Sequence, residues 1–518
     1  MDQMEEHFSE ESVDEVADTT FFGVMMCEDS NMTVTEKGAP TYISSLDSLV
    51  DLFYKGQRGV NEQLALELFE KAYVESPLLT AKMIAYIRDV RGGKGERKLG
   101  RFLLNELSKK NKDMFEKNLI HYLATYGRWD DGIEFEGDAK KEYVKSVGNQ
   151  LKKDIADLAE NKSSISLCAK WVPSEGKSVD KKTGLYGAIA KTMGMKKDIF
   201  RKICIAPLRK HLDIVETHLV RKEYDEIDYQ KVPSRCMFIH GKDMNKKKEP
   251  NAFYRNDGDR FKGYIESLKK GEAKVNAKDL YPHEIIATYH NGNHLQHCDV
   301  NELTEAQWRV MEEKMRGVGK LGKTLVLSDV SGSMSGLPMS ISIALGILIS
   351  GSIDHAAFKN FIVTFHESPI FYKVMGETLK EKVDSVSRAP WGGTTDFYKV
   401  FKIILDRATE HKLTEKEMPE RIVVISDMQF DVAERGKTNF QAIDELYKKH
   451  GFKRPQIVFW NVNGRVNEVP VKANVADTAL ISGYSPDILK AVLSGETLTP
   501  KDIMLKALND SRYDLIVE

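Results

Sequence analysis

The sequence predicts two joined folds behind an acidic leader: a tail over residues 1–40, an all-helical repeat array over 41–316, and a doubly wound α/β domain over 317–518. Three observations predict this. Apolar residues in the first three-fifths of the chain recur at spacings of three and four, the helical period. From Gly317 onward, short β-branched runs alternate with amphipathic segments, the pattern of a parallel sheet covered on both faces. Residues 1–36 hold eleven of the 78 acids and no Lys or Arg, a composition suited to a solvated, disordered tail. The rest of the chain therefore carries a net charge of +9, against −2 for the whole.

The elements follow in order. Leu64, Leu66, Leu68, Phe69, Ala72 and Tyr73 form a first helical group, and Met83, Ile84, Tyr86 and Ile87 a second. Leu99, Phe102, Leu103 and Leu107 form a third, and Leu119, Ile120, Tyr122 and Leu123 a fourth. Breakers at Gly56, Gly59, Pro77, Gly92, Gly93 and Gly127 separate them at helix length, as in stacked helical hairpins without an exact period. Residues 160–200 and 230–300 are less regular, and GKDMNKKKEP (241–250) reads as an exposed basic loop. A last long helix covers 302–316. Then TLVL (324–327), FIVTF (361–365), RIVVI (421–425), QIVFW (456–460) and TALI (478–481) read as strands. Helices are predicted between and after them, over 339–350, 396–410, 440–450, 486–494 and 500–508.

Composition bounds the function. A chain of 518 residues suggests two to four domains. With 41% apolar and 30% charged residues it is neither collagen-like, low-complexity nor mostly disordered. The five cysteines (Cys27, Cys168, Cys204, Cys236, Cys298) are scattered and odd in number, which argues for a reducing compartment. The N-terminus lacks the apolar core of a secretory signal, and the longest apolar stretch, ISIALGILI (341–349), is too short to span a bilayer. The expectation is a soluble, cytoplasmic protein with no membrane partner.

The strongest motif is Asp329-Val330-Ser331-Gly332-Ser333, directly after the strand TLVLS. Ligand sites of open α/β sheets lie at the carboxyl ends of strands. Alternate residues of an extended loop point the same way, so Asp329, Ser331 and Ser333 bring one carboxylate and two hydroxyls together. GGTTD (392–396) opens a helix and adds a hydroxyl, and Asp427 ends the strand RIVVIS and adds a second carboxylate. An all-oxygen set suits a hard cation, Mg²⁺ or Mn²⁺. In order and spacing these pieces resemble the metal-ion-dependent adhesion site of von Willebrand factor A domains. That resemblance implies that Ser331, Ser333 and Thr394 touch the metal and that Asp329 and Asp427 act directly or through water, with Thr395 in reserve. It also implies that an acidic side chain of a protein partner completes the coordination.

The helical part is basic. Residues 82–117 hold eleven basic and five acidic residues, and 177–222 hold twelve and four, patches able to neutralise phosphates. The sequence RDVRGGKGERK (88–98), followed by FEKNLIHYLATYGRWDD, resembles the helical module of Ro ribonucleoproteins. SLCAKWVPSEGKS, APLRKHLDIVE, KVPSRCM and DRFKGYIESLKKGE resemble more closely an uncharacterised family that joins a Ro-like, HEAT-like helical segment to a von Willebrand A domain. This resemblance implies a monomeric ring of helical repeats closed by the A domain and binding single-stranded RNA ends or small structured RNAs. The candidate contacts it implies are Arg88, Arg91, Lys94, Arg97 and Lys98, with Lys170, Lys177, Arg209 and Lys210 as weaker ones. The function implied is a non-enzymatic RNA-binding ribonucleoprotein with a metal site for a partner carboxylate. The alternative is a metal-dependent protein scaffold without RNA binding, in a virus a structural or packaged component.

Other patterns carry less. GVGKLGKT (317–324) matches the phosphate-loop pattern, but a helix precedes it and a strand follows, the reverse of what phosphate binding needs. His290, His294, His297 and Cys298 read as surface or core residues rather than a zinc set. No nucleophile–base–orienter set is legible, so no enzyme is expected.

Overall fold

The computed structural model describes residues 30–162, 164–242, 249–291, 294–296, 298–365, 369–389, 395–493 and 498–518. Strands β1 (Met32–Val34) and β2 (Pro40–Tyr42) pair as an antiparallel hairpin. This hairpin lies ahead of the boundary at 41 that composition suggested. Residues 1–29 of the expected tail lie outside the described residues.

Several helices begin where the sequence offers a cap. Asp47 accepts from Val50 N at 2.9 Å to start α1 (Ser48–Lys55). Asn61 caps α2 (Glu62–Glu75), and Ser76 caps α3 (Pro77–Arg88), whose proline stands where no N–H is needed. After the glycine turn follow α4 (Arg97–Lys110), α5 (Lys112–His121), capped by Asn111, and the long α6 (Gly137–Ala159). A series of short helices leads to α7 (Gly258–Lys270) and α8 (Glu302–Arg316).

The C-terminal half holds one six-stranded sheet. Its strands are β3 (Thr324–Ser328), β4 (Phe361–Thr364), β5 (Ile370–Lys373), β6 (Arg421–Ser426), β7 (Gln456–Asn461) and β8 (Thr478–Ser482). The order is β8-β7-β6-β3-β4-β5, with β5 the one antiparallel member, at an edge. All five predicted strands fall within a residue or so of these bounds. The unpredicted β5 is half exposed and follows a stretch with no apolar run. Helices α9 (Leu337–Ser352), α10 (Leu379–Ser387), α11 (Phe397–Glu410), α12 (Asn439–His450) and α13 (Pro500–Leu508) cover the sheet. Asp396, predicted inside α11, instead caps it, and Pro486–Ala491 winds as a tighter 3₁₀ turn.

Helix α9 is buried from Met339 to Ser350. It packs on the sheet on one side and on α8 and Pro282–Ile286 on the other, which explains an apolar composition all round. At the opposite end α1 lies against β8, and α13 touches α1 and α3. One continuous apolar core therefore runs through both halves, with a smaller cluster beneath residues 227–306. The change at 317 is a change of secondary structure, not a gap in packing.

Candidate functional site

Strands β3, β6 and β7 are buried almost throughout, so the polar residues at their carboxyl ends are held on a rigid edge. Asp329 extends β3, its N–H donating to Ile425 O at 3.0 Å. Val330 and Met334, buried on either side of Ser331, anchor the loop. Asp329 is fully buried. Its Oδ1 accepts from Ser331 N at 2.9 Å and its Oδ2 from Ser426 Oγ at 2.6 Å. Ser331 Oγ and Ser333 Oγ lie 3.2 Å apart. Ser333, exposed at the mouth, also hydrogen-bonds the buried Asp427. The structure thus brings Asp329, Ser331, Ser333 and Asp427 together on one sheet edge. Thr394 lies outside the described residues. Thr395, the reserve, is already engaged: its Oγ1 donates to Gln429 O at 2.8 Å and accepts from Lys37, and its N–H donates to Asp431 Oδ2 at 2.7 Å.

The electrostatics follow from burial. Burial, then the charge of Asp427, pushes the Asp329 carboxyl up to about 6, against the pull of hydrogen bonds from Ser426 and Ser331. Burial also raises Asp427, while hydrogen bonds from Gln429 N and Ser333 and the charge of Lys37 pull it down. Two buried carboxylates that repel one another, flanked by hydroxyls, are what a hard divalent cation stabilises, and the all-oxygen donor set fits Mg²⁺ or Mn²⁺. Among the described residues no group of three or more His, Cys, Asp or Glu is placed to hold a metal, so this set depends on its hydroxyls.

Two participants were not read from the sequence. Ser426, the last residue of β6, orients Asp329, and its place beside Asp427 was the available signal. Lys37 comes from the β1–β2 hairpin. Its Nζ donates to Thr395 Oγ1 and lies 3.5 Å from Asp431 Oδ1. Thr35 Oγ1 donates to Phe430 O at 3.0 Å, and Glu36 N to Gln429 Oε1 at 2.6 Å. The hairpin is thereby tied along the edge that carries the site. Nothing in the local sequence pointed there.

The nine basic candidates divide. Two are corrected outright. Arg88 is buried and grips Asp131 through both Nε (2.7 Å) and Nη2 (3.2 Å). Lys94 is fully buried, its Nζ donating to Phe53 O, to Gly56 O at 2.8 Å and to Ser482 Oγ at 2.8 Å. It caps the last turn of α1, where carbonyls lack helical partners, and ties that turn to the end of β8. The glycine turn around it is structural as well: a Cβ on Gly93 would stand 2.0 Å from Tyr86 O. Arg209 is largely committed, its guanidinium donating to Ala169 O (2.9 Å) and Val172 O (2.6 Å) at the end of the short helix Cys168–Trp171. Lys170 pairs with Glu216 at 2.8 Å and the exposed Lys98 with Glu62 at 2.8 Å. Arg97 is half exposed and reaches Asp130 at 2.7 Å. Arg91, Lys177 and Lys210 are exposed.

Arg97 belongs to a cluster missed from the sequence. Arg88, Arg97, Arg101 and Arg128 all pair with just two carboxylates, Asp130 and Asp131, a local surplus of two positive charges. Arg128 also lies 4.0 Å over the ring of the half-buried Trp171.

In the phosphate-loop look-alike, α8 precedes and β3 follows, and Lys323 pairs with Glu420 at 2.7 Å. Of the histidine set, His290 is buried and Cys298 exposed, while His297 and the side chain of His294 lie outside the described residues. Among the described residues, no helix is long and apolar enough to cross a membrane.

Comparison with known proteins matches both halves to families without an assigned role. Residues 323–513 match the model of a domain of unknown function (DUF7788), and residues 35–102 and 144–321 that of another (DUF2828). The chain is also similar to an uncharacterized protein of Acanthamoeba polyphaga mimivirus, 29% identical over 507 residues that cover 92% of this chain and 87% of the relative.

Proposed function

We propose that this protein is a non-enzymatic binding protein whose C-terminal domain, of von Willebrand A type, holds Mg²⁺ or Mn²⁺ and engages an acidic side chain of a protein partner. The observation that carries this reading is the convergence of Asp329, Ser331, Ser333 and Asp427 at the carboxyl edge of a parallel sheet. Thr394 is proposed as a further hydroxyl ligand. A divalent ion bound there supplies an electrophilic position for a carboxylate. Around it, Ser426 orients Asp329, Ser331 N–H fixes its other oxygen, and the exposed Ser333 marks the side from which a partner approaches. The test is thermal unfolding and partner capture with Mg²⁺ or Mn²⁺ against chelator. A melting temperature that rises with metal in the wild type and not in Asp329→Ala supports the reading. Equal capture in excess chelator refutes it.

A second reading, a HEAT-like ring that binds RNA as Ro proteins do, is favoured by the arginine cluster and by Arg128 over the half-buried Trp171 ring, since guanidinium groups suit phosphates and aromatic rings suit stacked bases. Helices from both ends of the helical half, α1 and α8, pack against the α/β domain, the connectivity a monomeric ring requires. The test is RNA binding at two salt concentrations. Affinity that falls steeply with salt and tolerates chelator supports it.

A further inference from the structure

Residues 197–211 wind as one continuous helical segment: Lys197–Ile199 and Ala206–His211 are α-helical, and Phe200–Ile205 forms a wider π turn between them. One face of the segment belongs to the core. Phe200, Cys204 and Leu208, four residues apart, are fully buried, the Phe200 ring lies 5.1 Å from that of Tyr186, and the last turns touch α6 and Cys168–Trp171. The other face has no such cover. Ile199 is 38% and Ile203 54% exposed, and Ala206, at the same helical spacing, is exposed with them. Lys196, Lys202 and Lys210 are exposed on the same outward sector. Residues 196–211 hold six Lys or Arg against one acid, Asp198. Arg209 is committed to carbonyls. Among the described residues, no Lys or Arg between 177 and 210 forms an ion pair, in contrast to the arginines gathered on Asp130 and Asp131.

We propose that this helix face docks on the surface of an anionic lipid bilayer, its lysines meeting acidic headgroups while Ile199 and Ile203 enter the headgroup layer. An exposed aliphatic stripe bordered by unpaired lysines is what an interfacial helix presents to a membrane. Each lysine brought to an acidic surface strengthens binding roughly fivefold. Lys196, Lys202 and Lys210 together therefore give a reversible, salt-sensitive attachment, and the two isoleucines add an apolar share that salt does not screen. The side chains favour lipid over RNA. Bases bind where rings are available for stacking, and the one phenyl ring of this segment, Phe200, is buried. The outward cations are lysines, point charges without the planar fork that grips a phosphate in two places. Composition gave no membrane partner, and for a spanning segment that expectation stands apart from a surface contact of this kind. Neither the metal site nor the RNA reading is needed for it.

The test is co-sedimentation of the full-length chain, in chelator, with vesicles of phosphatidylcholine alone and of equal parts phosphatidylcholine and phosphatidylglycerol, at low and high salt. Phosphatidylglycerol is anionic without a carboxylate, and chelator silences the metal site. Binding to the anionic vesicles is expected to be at least tenfold tighter than to phosphatidylcholine and to weaken with salt. Lys196→Glu with Lys202→Glu is expected to weaken it at least tenfold. Ile199→Ser with Ile203→Ser is expected to weaken it at least threefold and to leave the affinity for single-stranded RNA unchanged. All four side chains are exposed, so both variants should melt with the wild type. Should either misfold, the wild type carries the test alone: acetylation of Lys196, Lys202 and Lys210, read by mass spectrometry, is expected to fall at least threefold with anionic vesicles and not with phosphatidylcholine. Equal binding to both vesicles, no binding at low salt, full binding by either folded variant, or lysines protected by RNA and not by anionic vesicles overturns the proposal.

Discussion

Replacing Lys94 by methionine separates a structural lysine from an RNA-binding one. The ammonium has three hydrogens and three acceptors: Phe53 O, Gly56 O and Ser482 Oγ. Ser482 Oγ keeps its own bond to Tyr54 O in the variant, but the two carbonyls lose their donor inside the core. At about 1–3 kcal/mol for each orphaned acceptor, and with relief from burying a charge on the other side, the expected net loss is about 2–4 kcal/mol. The assay is urea unfolding followed by tryptophan fluorescence, with RNA affinity measured on the folded protein. The expected result is a lower unfolding midpoint and unchanged RNA affinity. The effect also has a pH signature. Burial pulls Lys94 down to about 7 from its ordinary 10.5. Between those values the unfolded chain holds the proton and the folded one releases it, so the site's contribution to stability rises with pH across that window and is lowest below it. The gap between wild type and Lys94→Met should therefore widen from pH 7 to pH 10. An unchanged midpoint together with a tenfold loss of RNA affinity would refute the reasoning and return Lys94 to the surface.

Three further outcomes are expected. Asp329→Asn should keep the fold, since it removes one of two buried like charges, and should lose the thermal shift produced by Mg²⁺ or Mn²⁺; a shift equal to wild type counts against the metal site. Asp89 is buried and takes hydrogen bonds from Arg512, from Tyr513 OH at 3.2 Å and from Arg91 N at 3.0 Å. Asp89→Asn should cost about 1.5–3 kcal/mol by weakening charged hydrogen bonds and should speed tryptic cleavage at Lys506 and Arg512, while an unchanged cleavage rate argues against this clamp. Changing Arg91, Lys177 and Lys210 together to glutamate should lower both RNA affinity and its salt slope if the helical half binds RNA, because all three are exposed members of the candidate set. Unchanged affinity moves the RNA surface elsewhere.

What was legible in the sequence was what a short window determines. The strands of the parallel sheet were visible because burial on both faces leaves near-continuous apolar runs such as RIVVI and QIVFW. Strand β5, IFYK, was not, because an edge strand with one wet face lacks that run. Asp329, Ser331, Ser333 and Asp427 were found because strand ends carry them in short motifs. Arg88 and Lys94 were misread because charge in a glycine turn looks solvated, and only the fold places Asp131 and the end of α1 around them. Lys37 lies in a polar stretch beside an acidic one, where composition spoke for disorder.

The hairpin that delivers Lys37 also sets a schedule for folding. Thr41 bonds to Val469 across 428 positions of chain, and Tyr42 and Val469 exchange backbone bonds. At a synthesis rate of about 5–20 residues per second, the hairpin waits roughly 20–90 s before its partner strand region exists. During that interval the helical half can compact on its local contacts, but its opening segment has nowhere to dock. Final assembly is therefore a late, long-range closure, the slow class of folding event. A fragment cut at residue 317 leaves each piece incomplete: the helical piece keeps a hairpin without its dock, and the α/β piece loses the cation that Lys37 brings to Asp431.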